Sequence, residues 1–225
     1  MRRELALGLG SYALALAVGA RNAGPGRRRL AARNAARLVA LERRLDLHAE
    51  PSLQRVLLRR PRLLALMNGA YVAGNIGLTV GALLYLRAQG NPAFLRRRRA
   101  AVACLVGSQA VFLPFPTDPP RRLEHFVDAS SAGVVDIESP LVSRLYNPVA
   151  AMPSIHVAWA MVVAGSLRDA SRRRSVRTAA LAYPPAVAAT VVLTANHLLL
   201  DVAAGALLGA AANRACAARG TCRRA

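Results

Sequence analysis

At 225 residues the chain has the length of one domain, but 54% of it is hydrophobic, only 4% is aromatic, and the apolar mass is largely Ala, Leu and Val gathered into blocks. That excludes an ordinary soluble domain and a disordered chain. The net charge of +20 comes from arginine alone; because the arginines lie between apolar blocks, they point to membrane flanks and anionic lipid and away from nucleic acid.

A hydrocarbon core about 30 Å thick takes roughly 20 apolar residues per helix. Six blocks approach this length: residues 5–20, 63–86, 100–115, 149–167, 178–195 and 198–212. Flanking arginines snorkel to the interface and lengthen the effective span. The expected fold is therefore all-α, a polytopic membrane protein of about six transmembrane helices with an amphipathic interfacial helical section after the first. Residues 1–62 form the N-terminal apolar helix and basic section, 63–213 the membrane-embedded core, and 214–225 a basic tail. Cys104, Cys216 and Cys222 make no CxxC or Cys/His cluster, so neither a zinc site nor a disulfide framework is expected.

The first block could pass for a signal peptide, but with so many spans behind it an uncleaved helix is the expectation. Residues 21–62 carry twelve arginines against Glu42, Asp46 and Glu50. Leu38, Leu41, Leu45, Leu53, Val56 and Leu57 recur at helical spacing there, so one or two amphipathic helices on the membrane surface are expected, punctuated by Pro51 and Pro61. In the second span Asn68, Tyr71 and Asn75 share a helical face. Interhelical hydrogen bonding and contact with substrate both fit that face.

After Arg96-Arg97-Arg98-Arg99 and a third span comes Phe112-Leu-Pro-Phe-Pro-Thr-Asp-Pro-Pro-Arg121, whose four prolines end the helix and hold Arg121 near the membrane surface. Residues 116–150 are not basic, whereas the loop 168–177 and the tail are. Basic loops favour the cytoplasm, which places Arg121, Ser154, His156 and His197 together on the extracytoplasmic side of the cell membrane. The same parity puts the basic section 21–62 outside, so either it rests on anionic lipid of the outer leaflet or the first block does not cross.

Two short stretches concentrate the chemistry. Thr194-Ala-Asn-His-Leu-Leu-Leu-Asp201 turns the chain at Asn196-His197 and sets His197 and Asp201 four apart, so on a helix the carboxylate can orient the imidazole and leave the other ring nitrogen to attack. Ala151-Met-Pro-Ser-Ile-His156 puts Ser154 and His156 just after Pro153 at a helix start, a natural anion site with a proton donor beside it. With Arg121 to clamp non-bridging oxygens, the set serves phosphoryl transfer through a phosphohistidine. His48 and His125 read as surface residues.

Met152-Pro-Ser-Ile-His156 together with Asn196-His-Leu-Leu-Leu-Asp201 resembles the type-2 phosphatidic acid phosphatase superfamily of membrane enzymes, and Pro116-Thr-Asp-Pro-Pro-Arg121 resembles its inositol phosphorylceramide synthase-like branch. The resemblance covers roughly residues 60–212. It implies a six-helix fold, His197 as nucleophile, Asp201 as its partner, His156 as general acid, and phosphate contacts from Arg121 and the Ser154 turn. It also implies no metal or other cofactor and a phospholipid or polyprenyl phosphate as substrate. Pro114 stands where the superfamily's first motif has lysine, Arg122 follows Arg121 where it has proline, and Val191 stands where the third motif has arginine. Arg144, Arg122 or Asn196 could make up the missing charge, with Tyr71 and Asn75 as further substrate contacts, or the substrate could be a less charged phosphodiester. A membrane protein that binds lipid phosphate without turnover is the alternative. Sequence leaves the lipid, the acceptor and the oligomeric state open.

Overall fold

The computed structural model describes residues 2–129 and 147–221. Nine α-helices follow one another among these residues: α1 (Arg2–Asn22), α2 (Pro25–Arg44), α3 (Glu50–Leu58), α4 (Pro61–Gly69), α5 (Asn75–Ala88), α6 (Phe94–Phe112), α7 (Ile155–Ala170), α8 (Arg174–Leu193) and α9 (Leu199–Thr221). One π-helical turn, Ala70–Gly74, joins α4 to α5. Each expected apolar block contains a helix, and the basic section forms α2 and α3, with prolines in the first turns of both. Between them the chain reverses at Asp46, which has a φ of 54°.

Two helices, Arg174–Leu193 and Leu199–Ala218, are long and apolar enough to cross a membrane. The others fall short for physical reasons. The 16 residues of α7 rise only about 24 Å, and α6 takes Arg96 to Arg99 into its first turns. In the two crossing-competent helices only 17% and 28% of the apolar window is buried, and Leu181 and Leu207 are exposed.

Helix α7 packs on α5, α6, α8 and α9. Its contact with α6 and α9 is made largely by small residues, with Ala100, Ala101, Cys104, Ala158, Val162 and Ala212 buried together, so the helix backbones approach closely. Gly205 and Gly209 set the distance between α7 and α9. A Cβ at Gly205 would come within 2.2 Å of the Ser154 carbonyl oxygen, and one at Gly209 within 2.7 Å of that of Ala158.

The expected surface helices are more deeply engaged than lipid-lying helices would be. Asn34 of α2 donates to Pro116 O, and Gln54 of α3 donates to Val127 O. Leu38 and Val39 pack on Phe126, Ala195 and Leu198. The α2–α3 section thus covers the start of α9 and the loop after α6, at one end of the bundle. A short parallel bridge, Thr117 to Ala150, lays that loop along residues 147–151.

Candidate active site

The turn between α8 and α9 is tight because two amides share one acceptor. The N–H groups of Asn196 and His197 both bond to Val191 O, at 2.9 and 3.0 Å, and Ala195 is left-handed with a φ of 53°. His197 follows, 3% exposed. Its Nδ1 lies 2.8 Å from Ala151 O; a carbonyl only accepts, so Nδ1 carries the proton and Nε2 keeps its lone pair. Nε2 has no hydrogen-bond partner.

Sequence spacing assigned the orienting role to Asp201. Its Oδ2 is 3.6 Å from the same Nδ1, beyond a good hydrogen bond, and accepts the Leu198 N–H at 2.8 Å. The carbonyl of Ala151 therefore sets the tautomer. The fully buried side chain of Asp201 caps α9 beside the ring.

His156 stands in the first turn of α7, with its ring centroid 5.7 Å from that of His197 and 4.3 Å from that of Tyr71. Its Nδ1 is unpartnered. Ser154 is the residue before the helix, but its hydroxyl caps nothing and is also unpartnered. Its N–H is spent on Asp201 O at 3.0 Å, which removes one of the donors expected for an anion and ties the start of α7 to α9.

The face expected to be shared by Asn68, Tyr71 and Asn75 divides in two. Asn68 donates to Ala129 O, in the loop that follows Arg121, at 2.7 Å, and Asn75 donates to His156 O of α7 at 3.0 Å, so only the second is an interhelical bond. Tyr71, in the π-helical turn, lines the cavity, a common use of such turns.

Arg121 sits in a 3-10 turn, Pro120–Arg122, whose backbone is pinned where Arg121 N–H donates to Ala195 O at 2.9 Å. The guanidinium is 5% exposed and donates from Nη1 to Asn196 Oδ1 at 2.5 Å. Asn196 in turn donates through Nδ2 to Thr194 Oγ1 at 2.7 Å. Both ends of that amide are occupied inside the protein, so in this arrangement it holds Arg121. Arg122 bonds to Asp118 Oδ1 and Pro148 O and lies outside the cavity lining. Val191 is buried, and Arg144 lies outside the described residues. Among the described residues of the lining, Arg121 supplies the guanidinium charge.

The histidines and Arg121 open onto a cavity of about 220 Å³ whose remaining walls include Tyr12, Ile76, Leu105, Phe112 and Trp159. Tyr12, from α1, was not singled out in the sequence; its one signal is an aromatic in an aliphatic block. A larger cavity, about 830 Å³, lies between α7, α8 and α9 and includes Arg168, Arg177 and Arg214 in its lining. It contains no histidine and is not where the reactive groups meet.

Behind the α9 start two further acids do what no motif announced. Glu50 Oε1 accepts the Leu199 N–H at 2.9 Å, and Glu42 Oε1 accepts the Leu200 N–H at 2.8 Å. With Asp201 on Leu198, three carboxylates satisfy three successive amides of the helix that follows His197. Burial, and Glu50 beside it, push the Glu42 carboxyl up to about 8 against the pull of its bond to Leu200. Burial lowers His48 from its ordinary value.

A family model for the PAP2 superfamily, the type-2 phosphatidic acid phosphatases, matches residues 36–215. No curated protein and no solved structure matches the chain.

Proposed function

The chain belongs to the PAP2 superfamily and is an enzyme of the phosphatase type; from that premise we propose that it is an integral membrane lipid-phosphate phosphatase or phospho-head-group transferase working through a phosphohistidine on His197. The observation that carries the reading is the state of His197: Nδ1 is committed to Ala151 O, and Nε2 is unpartnered in a cavity shared with His156 and Arg121.

Nε2 attacks phosphorus while Arg121 contacts the non-bridging oxygens and His156 gives a proton to the leaving oxygen. Phosphorus leaves its ester oxygen and is bound to nitrogen. His156, now neutral, takes the proton of the incoming acceptor, and the new P–O bond releases His197. Asp201 supports the positive charge that the ring acquires. No protein-bound metal enters these steps.

Arg121 is the one guanidinium among the described lining residues, and a singly charged phosphodiester needs less compensation than the dianion of a monoester. That favours head-group transfer from a diester lipid, in keeping with the inositol phosphorylceramide synthase-like motif around Arg121.

Exposed apolar faces on α8 and α9 support a membrane setting, since large exposed apolar surface is unusual in a soluble monomer. In this reading α1, the α4–α5 rod and α6 to α9 make six spans, with arginine-flanked ends seated in the headgroups. Arg96 to Arg99 open α6 and the basic segment 168–177 runs from the end of α7 into the start of α8, both at the end away from His197. The charge rule turns that end to the cytoplasm and the site outward, in the cell membrane.

The test is turnover of purified protein in detergent with phosphodiester and phosphomonoester lipids. We expect His197→Ala to abolish it with the fold retained; near-normal turnover in that variant would end the proposal.

A further inference from the structure

Glu42 near the end of α2 and Glu50 at the start of α3 flank the turn that carries His48. Each glutamate has one oxygen on an α9 amide. The second oxygen of each, Oε2, has no hydrogen-bond partner, although both side chains are fully buried. Both Oε2 atoms face His48 Nδ1, at 3.3 Å from Glu50 and 3.7 Å from Glu42, and that nitrogen is also unpartnered. The three ligating atoms lie within 4.8 Å of one another.

Two buried carboxylate oxygens left without a hydrogen bond are costly. A divalent cation removes that cost if the spacing suits it. Zinc takes His nitrogen and carboxylate oxygen at about 2.0–2.2 Å in tetrahedral geometry, which separates neighbouring ligand atoms by roughly 3.3–3.6 Å, close to the spacings from His48. The two carboxylates are also held as ligating carboxylates usually are, by hydrogen bonds of their own. The glutamates are fixed through Oε1 by backbone N–H groups, and the His48 ring stands edge-on to Phe126, centroids 6.2 Å apart at 82°.

We propose that Glu42, His48 and Glu50 bind one first-row divalent cation of the zinc class. The site lies outside the cavity lining and takes no part in phosphoryl transfer. It fastens the α2–α3 turn to the α9 amides two and three residues after His197, so its work is structural. Its donors come from neither a Cys pair nor a Cys/His cluster, so no metal motif is visible in the sequence.

The experiment strips the purified full chain with chelator, desalts it, and adds Zn²⁺ alone, reading bound metal by elemental analysis and stability by thermal unfolding. The expected result is about one retained zinc per chain and a rise in Tm. His48→Ala keeps both helix caps but loses a ligand, so affinity falls roughly 100-fold or more and the Tm rise disappears. Glu50→Gln keeps an acceptor for Leu199 N–H and gives the same loss, which preserves the test if His48→Ala does not fold. His125→Ala keeps the zinc. No zinc retained by the wild type, or equal retention and equal Tm response in the wild type and these ligand variants, would overturn the proposal and leave the two glutamates sharing a proton.

Discussion

The two ends of the α7–α9 pair use the same packing device for opposite purposes. At the arginine end Gly165 makes way for a side chain, since a Cβ there would lie 2.2 Å from Arg97 Nη1. Arg97 reaches past it to Asp169 and Asn213, at 2.6 Å each, and Arg96 joins Asp169 at 2.9 Å. At the histidine end Gly205 makes way for the Ser154 carbonyl, but there His197 Nε2, His156 Nδ1 and Ser154 Oγ have no hydrogen-bond partner. Buried polar groups are normally paired, and those that are not call for an explanation. At the first end Arg96, Arg97, Asp169 and Asn213 are bonded to one another and hold three helices together. At the second end the two histidines line the cavity in which the proposed mechanism places the phosphate.

The comparison breaks most visibly at His156. In the proposed mechanism His156→Ala removes the proton donor and lowers kcat by about 10²–10⁴, measured as turnover of a lipid phosphate by protein that still unfolds cooperatively. Arg121→Ala is expected to cost about 10²–10³ in kcat. Arg121→Lys recovers little of it, because a point charge does not reproduce the bidentate fork.

Gly205→Val sharpens the contrast from the packing side. The Ser154 carbonyl belongs to the backbone and cannot swing away, so α7 and α9 must separate, and a loss of about 3 kcal/mol or more is expected in chemical denaturation. Because Ser154 lies two residues before His156, activity falls with it. The smallest effect is reserved for the arginine end. Asp169→Asn weakens the bonds to Arg96 and Arg97 and costs about 1–3 kcal/mol, yet kcat in the folded fraction stays near the wild-type value. A large kcat loss there, with stability unchanged, would show that the two ends are not separate in role.

Much of this was legible in the sequence because its signals are local. Pro153 before Ser154 and His156, the four-residue step from His197 to Asp201, and the prolines before Arg121 each announce themselves within a few residues. Apolar blocks gave the helices for the same reason. What stayed hidden depends on partners far along the chain. Ala151 fixes the His197 tautomer through a backbone carbonyl, which no side-chain motif reports. Glu50 and Glu42 look like stray acids in an arginine-rich surface section, and only the fold brings them, respectively, 149 and 158 residues forward onto the amides of Leu199 and Leu200. Tyr12 reaches the cavity only because α1 packs on α6.

The central claim is that His197 Nε2 carries the phosphoryl group. Purified protein mixed with a lipid donor bearing labelled phosphate, quenched during turnover and mapped by mass spectrometry, tests it directly. The account predicts label on the peptide containing His197, lost on chase with acceptor and absent in His197→Ala. Continued turnover without covalent label, or label persisting in His197→Ala, would contradict it.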